Sequence, residues 1–298
     1  MPSGRFQGSQ VFEGFKAAAL LLMCFAVPSE GAGQGKDAGV NQSVVAISDR
    51  SMHIEQIDSQ YLQERRSIFI YVPANAHAPM PVIYVADGLA PQVAPVIHAL
   101  AEAGLAHEVI IVGIPPGPMF DRPPTPAMFR RNGEFRSQEY LEYFPGGRER
   151  FAAHEQFLIR EVMPLVERKW GASTDRRDRA VMGQSNGAAW ALSMASRHAD
   201  LFSTAIALSF GWKPTLRQLR KGGAIDRLYL SVGTEEPPAF PLRSRQAADV
   251  LGPRATWLRF DVTPTQHGQA AWNDRYRDAL AWAFASGPHH TGTQAGSR

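Results

Sequence analysis

Arg179-Ala180-Val181-Met182-Gly183-Gln184-Ser185-Asn186-Gly187-Ala188-Ala189-Trp190-Ala191-Leu192-Ser193-Met194-Ala195 is the stretch whose reading decides the fold of this 298-residue chain. Arg179 to Met182 reads as a short buried strand, and Ala188 to Ala195 as a helix. Between them, Gly183 to Gly187 fits the pattern Gly-x-Ser-x-Gly. A strand, a tight turn and a helix hold a serine on a strained bend with its hydroxyl exposed. Glycines on either side remove the Cβ atoms that would clash there. The competing reading is a glycine-flanked loop joining a strand to a helix, and the rest of the chain must decide between the two.

Upstream, Ile68, Ile70 and Val72 alternate with Phe69 and Tyr71 as a strand that ends at Pro73. Pro81 to Ala86 and Val109 to Ile114 are continuous apolar strands, with a helix expected over Val96 to Ala103 between them. Pro115 to Gly147 is rich in proline and arginine and lacks periodicity, so it reads as a long loop. Phe151 to Lys169 is an amphipathic helix. Beyond the serine come strands at Thr204–Leu208, Arg227–Val232 and Trp257–Val262, and helices at Ser244–Leu251 and about 271–285. Apolar strands alternating with helices predict an α/β fold with a mostly parallel sheet covered on both faces.

The amino terminus reads as an export signal over residues 1–33: Arg5 and Lys16 precede an apolar run from Ala17 to Val27, followed by small residues. That run is too short to span a bilayer, so no membrane association is expected after its removal. A single domain over residues 34–286 and a polar, disordered tail over 287–298 complete the expected organisation, in the periplasm or secreted. Cys24, the only cysteine, would leave with the signal, which excludes a cysteine hydrolase or a cysteine zinc site in the mature chain. A net charge of +3 without a Lys/Arg cluster gives no nucleic-acid footprint.

A serine hydroxyl becomes a useful nucleophile only when a base takes its proton. In the chain order serine, acid, histidine, that base should follow the last strand and precede the last helix. Of nine histidines, His267 stands there. The acid that orients it belongs in the loop after Leu228 to Val232, where Gly233-Thr234-Glu235-Glu236-Pro237 offers two adjacent carboxylates. Glu236 is preferred and Glu235 is the alternative; a dyad without an acid, or Asp261 in its place, also stays open. Backbone N–H donors for a tetrahedral oxyanion are expected from Asn186 and from Gly88 or Leu89.

Tyr84 to Gly88, Val112-Gly113-Ile114, Arg136-Ser137-Gln138-Glu139-Tyr140, Phe157 to Pro164, Gly183 to Gly187, and His267 with Trp272 occur in order. Together they resemble the esterase D type of α/β-hydrolase, a family that includes enterochelin and other siderophore esterases, over roughly residues 60–285. The resemblance implies an α/β-hydrolase fold and hydrolysis of a small-molecule carboxylic ester with no metal and no organic cofactor. It implies an oxyanion donor from the Asp87-Gly88 loop and a structural part for Arg136, Glu139 and Tyr140. The family's acid is often aspartate, whereas this loop carries only glutamates.

Arg130 and Arg131, with Trp212 in Ser209-Phe210-Gly211-Trp212-Lys213, suggest a cationic and aromatic pocket suited to an anionic aromatic ester such as a catecholate siderophore lactone. A polysaccharide-ester or thioester hydrolase would share the same catalytic residues. A non-catalytic binding module on the same fold is the other alternative. Oligomeric state is not legible.

Overall fold

The computed structural model describes residues 51–286 except 75 and 119–124, so the expected signal and tail lie outside the described residues. Eight strands form one sheet: β1 (Met52–Ser59), β2 (Glu64–Tyr71), β3 (Val82–Ala86), β4 (Ile110–Ile114), β5 (Arg179–Gln184), β6 (Thr204–Leu208), β7 (Ile225–Gly233) and β8 (Ala255–Thr263). Their order is β1-β2-β4-β3-β5-β6-β7-β8. β1 with β2 and β2 with β4 are antiparallel, and every later pairing is parallel.

The helices are α1 (Ala90–Glu102), α2 (Pro126–Tyr140), α3 (Arg148–Gln156), α4 (Met163–Trp170), α5 (Asn186–Arg197), α6 (Thr215–Leu219), α7 (Ala239–Leu251) and α8 (Gln269–Ala283). A π-helical turn, Phe157–Val162, joins α3 to α4, so the expected single helix over 151–169 is one rod with a local widening. Every residue of β3, β4, β5 and β6 is buried. That pattern requires cover on both faces and explains why these strands read as unbroken apolar runs rather than alternating ones. α5 is buried along ten consecutive residues, Gly187 to Ser196. Its alanines let it lie against β5 and β6, and Trp190 fills the space beyond them.

The chain leaves β3 toward β4 on one side and returns to β5 on the other. Ligands in open α/β sheets bind outside the carboxyl ends of strands at such a switch point. The Asp87-Gly88-Leu89 loop after β3 and Ser185 after β5 flank it.

One expectation needs correction, and two elements go beyond what the sequence pattern showed. Pro115 to Gly147 is not one loop, because it contains the fifteen-residue helix α2. Thr125 caps that helix by accepting a hydrogen bond from the Met128 amide, and proline stands in its first turn. α2 shows no apolar stripe because the side chains it turns inward include Arg136 and Glu139, held by ion pairs. β1 was missed: its burial is partial along most of its length, as befits an edge strand. The five-residue α6 was too short to carry a period.

Candidate active site

Ser185 follows β5 with φ 55° and ψ −119°, a backbone conformation in which L-residues are strained by about 1–3 kcal/mol. The strain is held by its neighbours. The Ser185 amide donates to the Leu208 carbonyl at 2.9 Å, and the Ser185 carbonyl accepts from the Ala188 amide at 3.0 Å as α5 begins. The bend is so tight that a Cβ on Gly183 would lie 2.1 Å from the Gly187 carbonyl oxygen. Space, rather than φ, dictates glycine there.

His267 stands between β8 and α8, with Nε2 3.2 Å from Ser185 Oγ. Its Nδ1 is 2.7 Å from Glu236 Oε2. Phe240 lies against one side of the ring, with centroids 4.1 Å apart, and Trp272 meets it edge-on at 4.8 Å. The loops carrying acid and histidine are joined backbone to backbone: Thr234 and Glu235 amides donate to Thr263 and Thr265 carbonyls at 2.8 and 3.2 Å. Gly233 is needed for that approach, since a Cβ would fall 1.9 Å from the Thr265 carbonyl oxygen.

The Glu236 carboxylate is fully buried. Its Oε1 accepts from Ser209 Oγ at 2.7 Å, from the Gly233 amide at 2.7 Å, and from Arg275 at 3.2 and 3.3 Å. Burial would raise its pKa, but hydrogen bonds from His267, Ser209 and Gly233 outweigh that and hold it below the usual glutamate value. Glu236 is therefore a carboxylate near neutral pH. Glu235 is exposed to solvent, and Asp261 is engaged by Tyr229 at 2.6 Å and by Arg259 at 3.0 Å.

Opposite the histidine, the loop after β3 is braced by α2. Arg136 grips both Asp87 oxygens at 2.6 and 2.9 Å and reaches the Gln184 carbonyl at 3.2 Å. The Tyr140 hydroxyl accepts from the Asp87 amide at 2.8 Å and donates to the Ile114 carbonyl at 3.0 Å. Glu139 faces the other way, toward Arg66 and Arg150. Arg136 thus ties the Gly88 loop to the residue before Ser185. The Leu89 amide turns back to the Ala86 carbonyl at 3.4 Å, while Asn186 opens α5, at its positive dipole end.

Arg130 and Arg131 are exposed on α2, and Arg131 lies over the Phe135 ring. Trp212 is half-buried and packs against Phe144, with centroids 6.4 Å apart. No described contact brings these three residues to Ser185. A cleft of about 480 Å³, lined by Tyr143, Arg217 and Lys221 among others, includes Ser196 and Arg197, at the opposite end of α5 from Ser185. Among the described residues, no group of three or more His, Cys, Asp or Glu side chains could hold a metal ion, and no helix is long and apolar enough to cross a membrane.

Sequence reasoning missed Arg275, set Ser209 in a substrate pocket rather than behind Glu236, and gave no part to Gln184, which binds Gln269 at 2.8 Å and Tyr276 at 2.6 Å. These contacts tie the residue before Ser185 to Gln269, the first residue of α8, and to Tyr276 two turns further along it. Arg275 falls three residues after Trp272, on the same helical face, which was the only available signal for it.

Residues 59–282 match the family described as "Putative esterase". No curated protein matches the sequence. Similar solved structures include an enterochelin esterase from Shigella flexneri, with TM-score 0.63 and 17% identity over 78% of this chain and 58% of that one. An S-formylglutathione hydrolase from Agrobacterium tumefaciens gives 0.61 and 14%, over 78% and 94% of the two chains. A ferulic acid esterase from the anaerobic fungus Anaeromyces mucronatus gives 0.56 and 17%, over 82% and 95%. At these identities the likeness is one of fold, the α/β-hydrolase fold.

Proposed function

This chain belongs to the esterase family and is an ester hydrolase, and we propose that it works through Ser185 as nucleophile, His267 as base and Glu236 as the acid that orients the imidazole. The observation that carries the reading is the unbroken line from Glu236 Oε2 to His267 Nδ1 at 2.7 Å, and from His267 Nε2 to Ser185 Oγ at 3.2 Å. Ser185 Oγ attacks the ester carbonyl while its proton passes to His267 Nε2. The negative oxygen of the tetrahedral intermediate is met by backbone N–H groups at Asn186 and on the Gly88 loop. Gly88 is favoured over Leu89, whose amide is already bonded to Ala86. Collapse expels the alcohol, which takes the proton from His267, and leaves an acyl-Ser185 ester. Water, deprotonated by His267, then releases the acid and restores the hydroxyl. A fluorophosphonate probe tests this reading: it should label Ser185 alone, in one-to-one stoichiometry by intact mass. Labelling elsewhere, or none, would overturn it.

The substrate we favour is an anionic aromatic ester, as in a catecholate siderophore lactone. Phe240, half-buried with its ring 4.1 Å from the imidazole, supports an aromatic substrate. Arg130 and Arg131 stand exposed on the helix that brings Arg136 to Asp87, roughly 9 and 8 Å from Arg136 along its axis by helical rise. Replacing both with alanine should raise KM for a sulfonated or catecholate aryl ester roughly threefold to tenfold, in line with the loss of one or two exposed charge contacts. KM for p-nitrophenyl acetate should not change. Equal effects on both esters would remove the arginines from recognition. We place its action in the periplasm or outside the cell, because residues 1–33 read as an export signal.

A further inference from the structure

The acid in this site is not simply a buried carboxylate facing a histidine: a guanidinium is packed behind it. Arg275 is buried on α8 and turns into the sheet edge. Its Nη1 donates to Ser209 Oγ at 3.1 Å and to Glu236 Oε1 at 3.2 Å; its Nη2 donates to Glu236 Oε1 at 3.3 Å and to Thr265 Oγ1. Ser209 also accepts from Trp272 Nε1 at 2.8 Å. With two donors pointing at its oxygen, the single hydroxyl hydrogen of Ser209 must go to Glu236, where the oxygens are 2.7 Å apart. Oε1 is therefore saturated and Oε2 alone is left for His267. Ser209 holds this geometry with φ 58° and no exposure to solvent, a strained buried position of the kind that collects at functional sites.

We propose that Arg275 is a positioning residue that restrains the basicity of the Glu236–His267 pair and so sets the acid side of the enzyme's pH range. The proposal rests on the triad reading above. A carboxylate that faces only a histidine stabilises the imidazolium strongly, so the histidine keeps its proton and is lost as a base when the medium turns mildly acidic. A guanidinium on the far oxygen offsets part of that charge. The other charged groups near the imidazole do not do this. Glu235 is exposed on the acid loop, Asp87 is neutralised by Arg136, and Asp261 is bound by Arg259 and Tyr229. On α7, Arg243 is turned to Gln246, and Asp274 on α8 is exposed. Arg275 is the charge that touches Glu236 directly.

The test compares the native enzyme with Arg275→Gln, which keeps hydrogen-bond donors without the charge, and Arg275→Lys, which keeps the charge without the fork. The measurement is the rate of fluorophosphonate labelling against pH, beside kcat/KM for p-nitrophenyl acetate. A unit charge acting over about 6–8 Å at an effective dielectric near 20 should displace the acid limb by roughly one and a half to two pH units. The limb of Arg275→Gln should move upward by that amount, with little loss on the alkaline plateau. Arg275→Lys should return it toward the native position. A lower plateau with an unmoved limb would mean that Arg275 only holds the loops together, and would overturn the proposal. A native enzyme that shows no acid limb or no labelling would instead strike the triad reading itself. If Arg275→Gln does not fold, Arg275→Met carries the same comparison, since its stem keeps the buried packing.

Discussion

Ser185→Ala should lower kcat/KM for p-nitrophenyl acetate by about ten thousandfold or more while leaving the fold intact. Removing the nucleophile of a triad abolishes the acyl-enzyme route, and what remains is the catalysis that oxyanion donors and binding give to water. Alanine inherits the φ of 55° without relief or added cost, and Ser185 Oγ reaches only the half-exposed His267. Unfolding free energy should therefore change by less than about 1 kcal/mol. Steady-state assay and thermal unfolding of the same preparation check both halves. A residual rate above a few per cent, with normal folding, would show that hydrolysis does not pass through Ser185.

The second large effect is on stability. At Gly183 a Cβ would lie 2.1 Å from the Gly187 carbonyl oxygen and 2.3 Å from its carbon. Both are backbone atoms of a turn pinned between β5 and α5, which cannot rotate aside as a side chain would. Gly183→Ala must therefore push the turn off the sheet, or fail to fold. The expected cost is about 3–5 kcal/mol, at the upper end for point substitutions. In a domain of this size that corresponds to a fall in Tm of roughly 6–20 °C. Gly268→Ala is the matched control, since a Cβ there meets nothing within 4 Å. A Gly183→Ala protein with native Tm and activity would mean that the turn is looser than described.

Wherever structure follows from near neighbours, the sequence was readable. The strand, turn and helix around Ser185 are legible because the apolar run, the glycines and the small-residue helix are contiguous. β6 was located to the residue, since a fully buried strand differs sharply in composition from its flanks. α2 escaped because its inward side chains are charged and are satisfied by residues far along the chain. Arg136 meets Asp87, 49 positions away, and Glu139 meets Arg66, 73 positions away. A helix buried through ion pairs has no apolar period to read.

The acid loop shows the same limit. Glu235 and Glu236 are chemically identical neighbours, and nothing local says which one turns inward. The choice is made by the amides of Thr234 and Glu235 bonding to Thr263 and Thr265, which leaves Glu236 beneath His267 with Ser209 and Arg275 behind it. By itself the sequence determined the α/β alternation, the elbow around Ser185 and a histidine between the last strand and the last helix, because each depends on a few consecutive residues. Only the tertiary structure decided which carboxylate meets that histidine, what braces the loop after β3, and what stands behind the acid. Those contacts join positions tens of residues apart, and a buried charge takes its place from the partners that neutralise it.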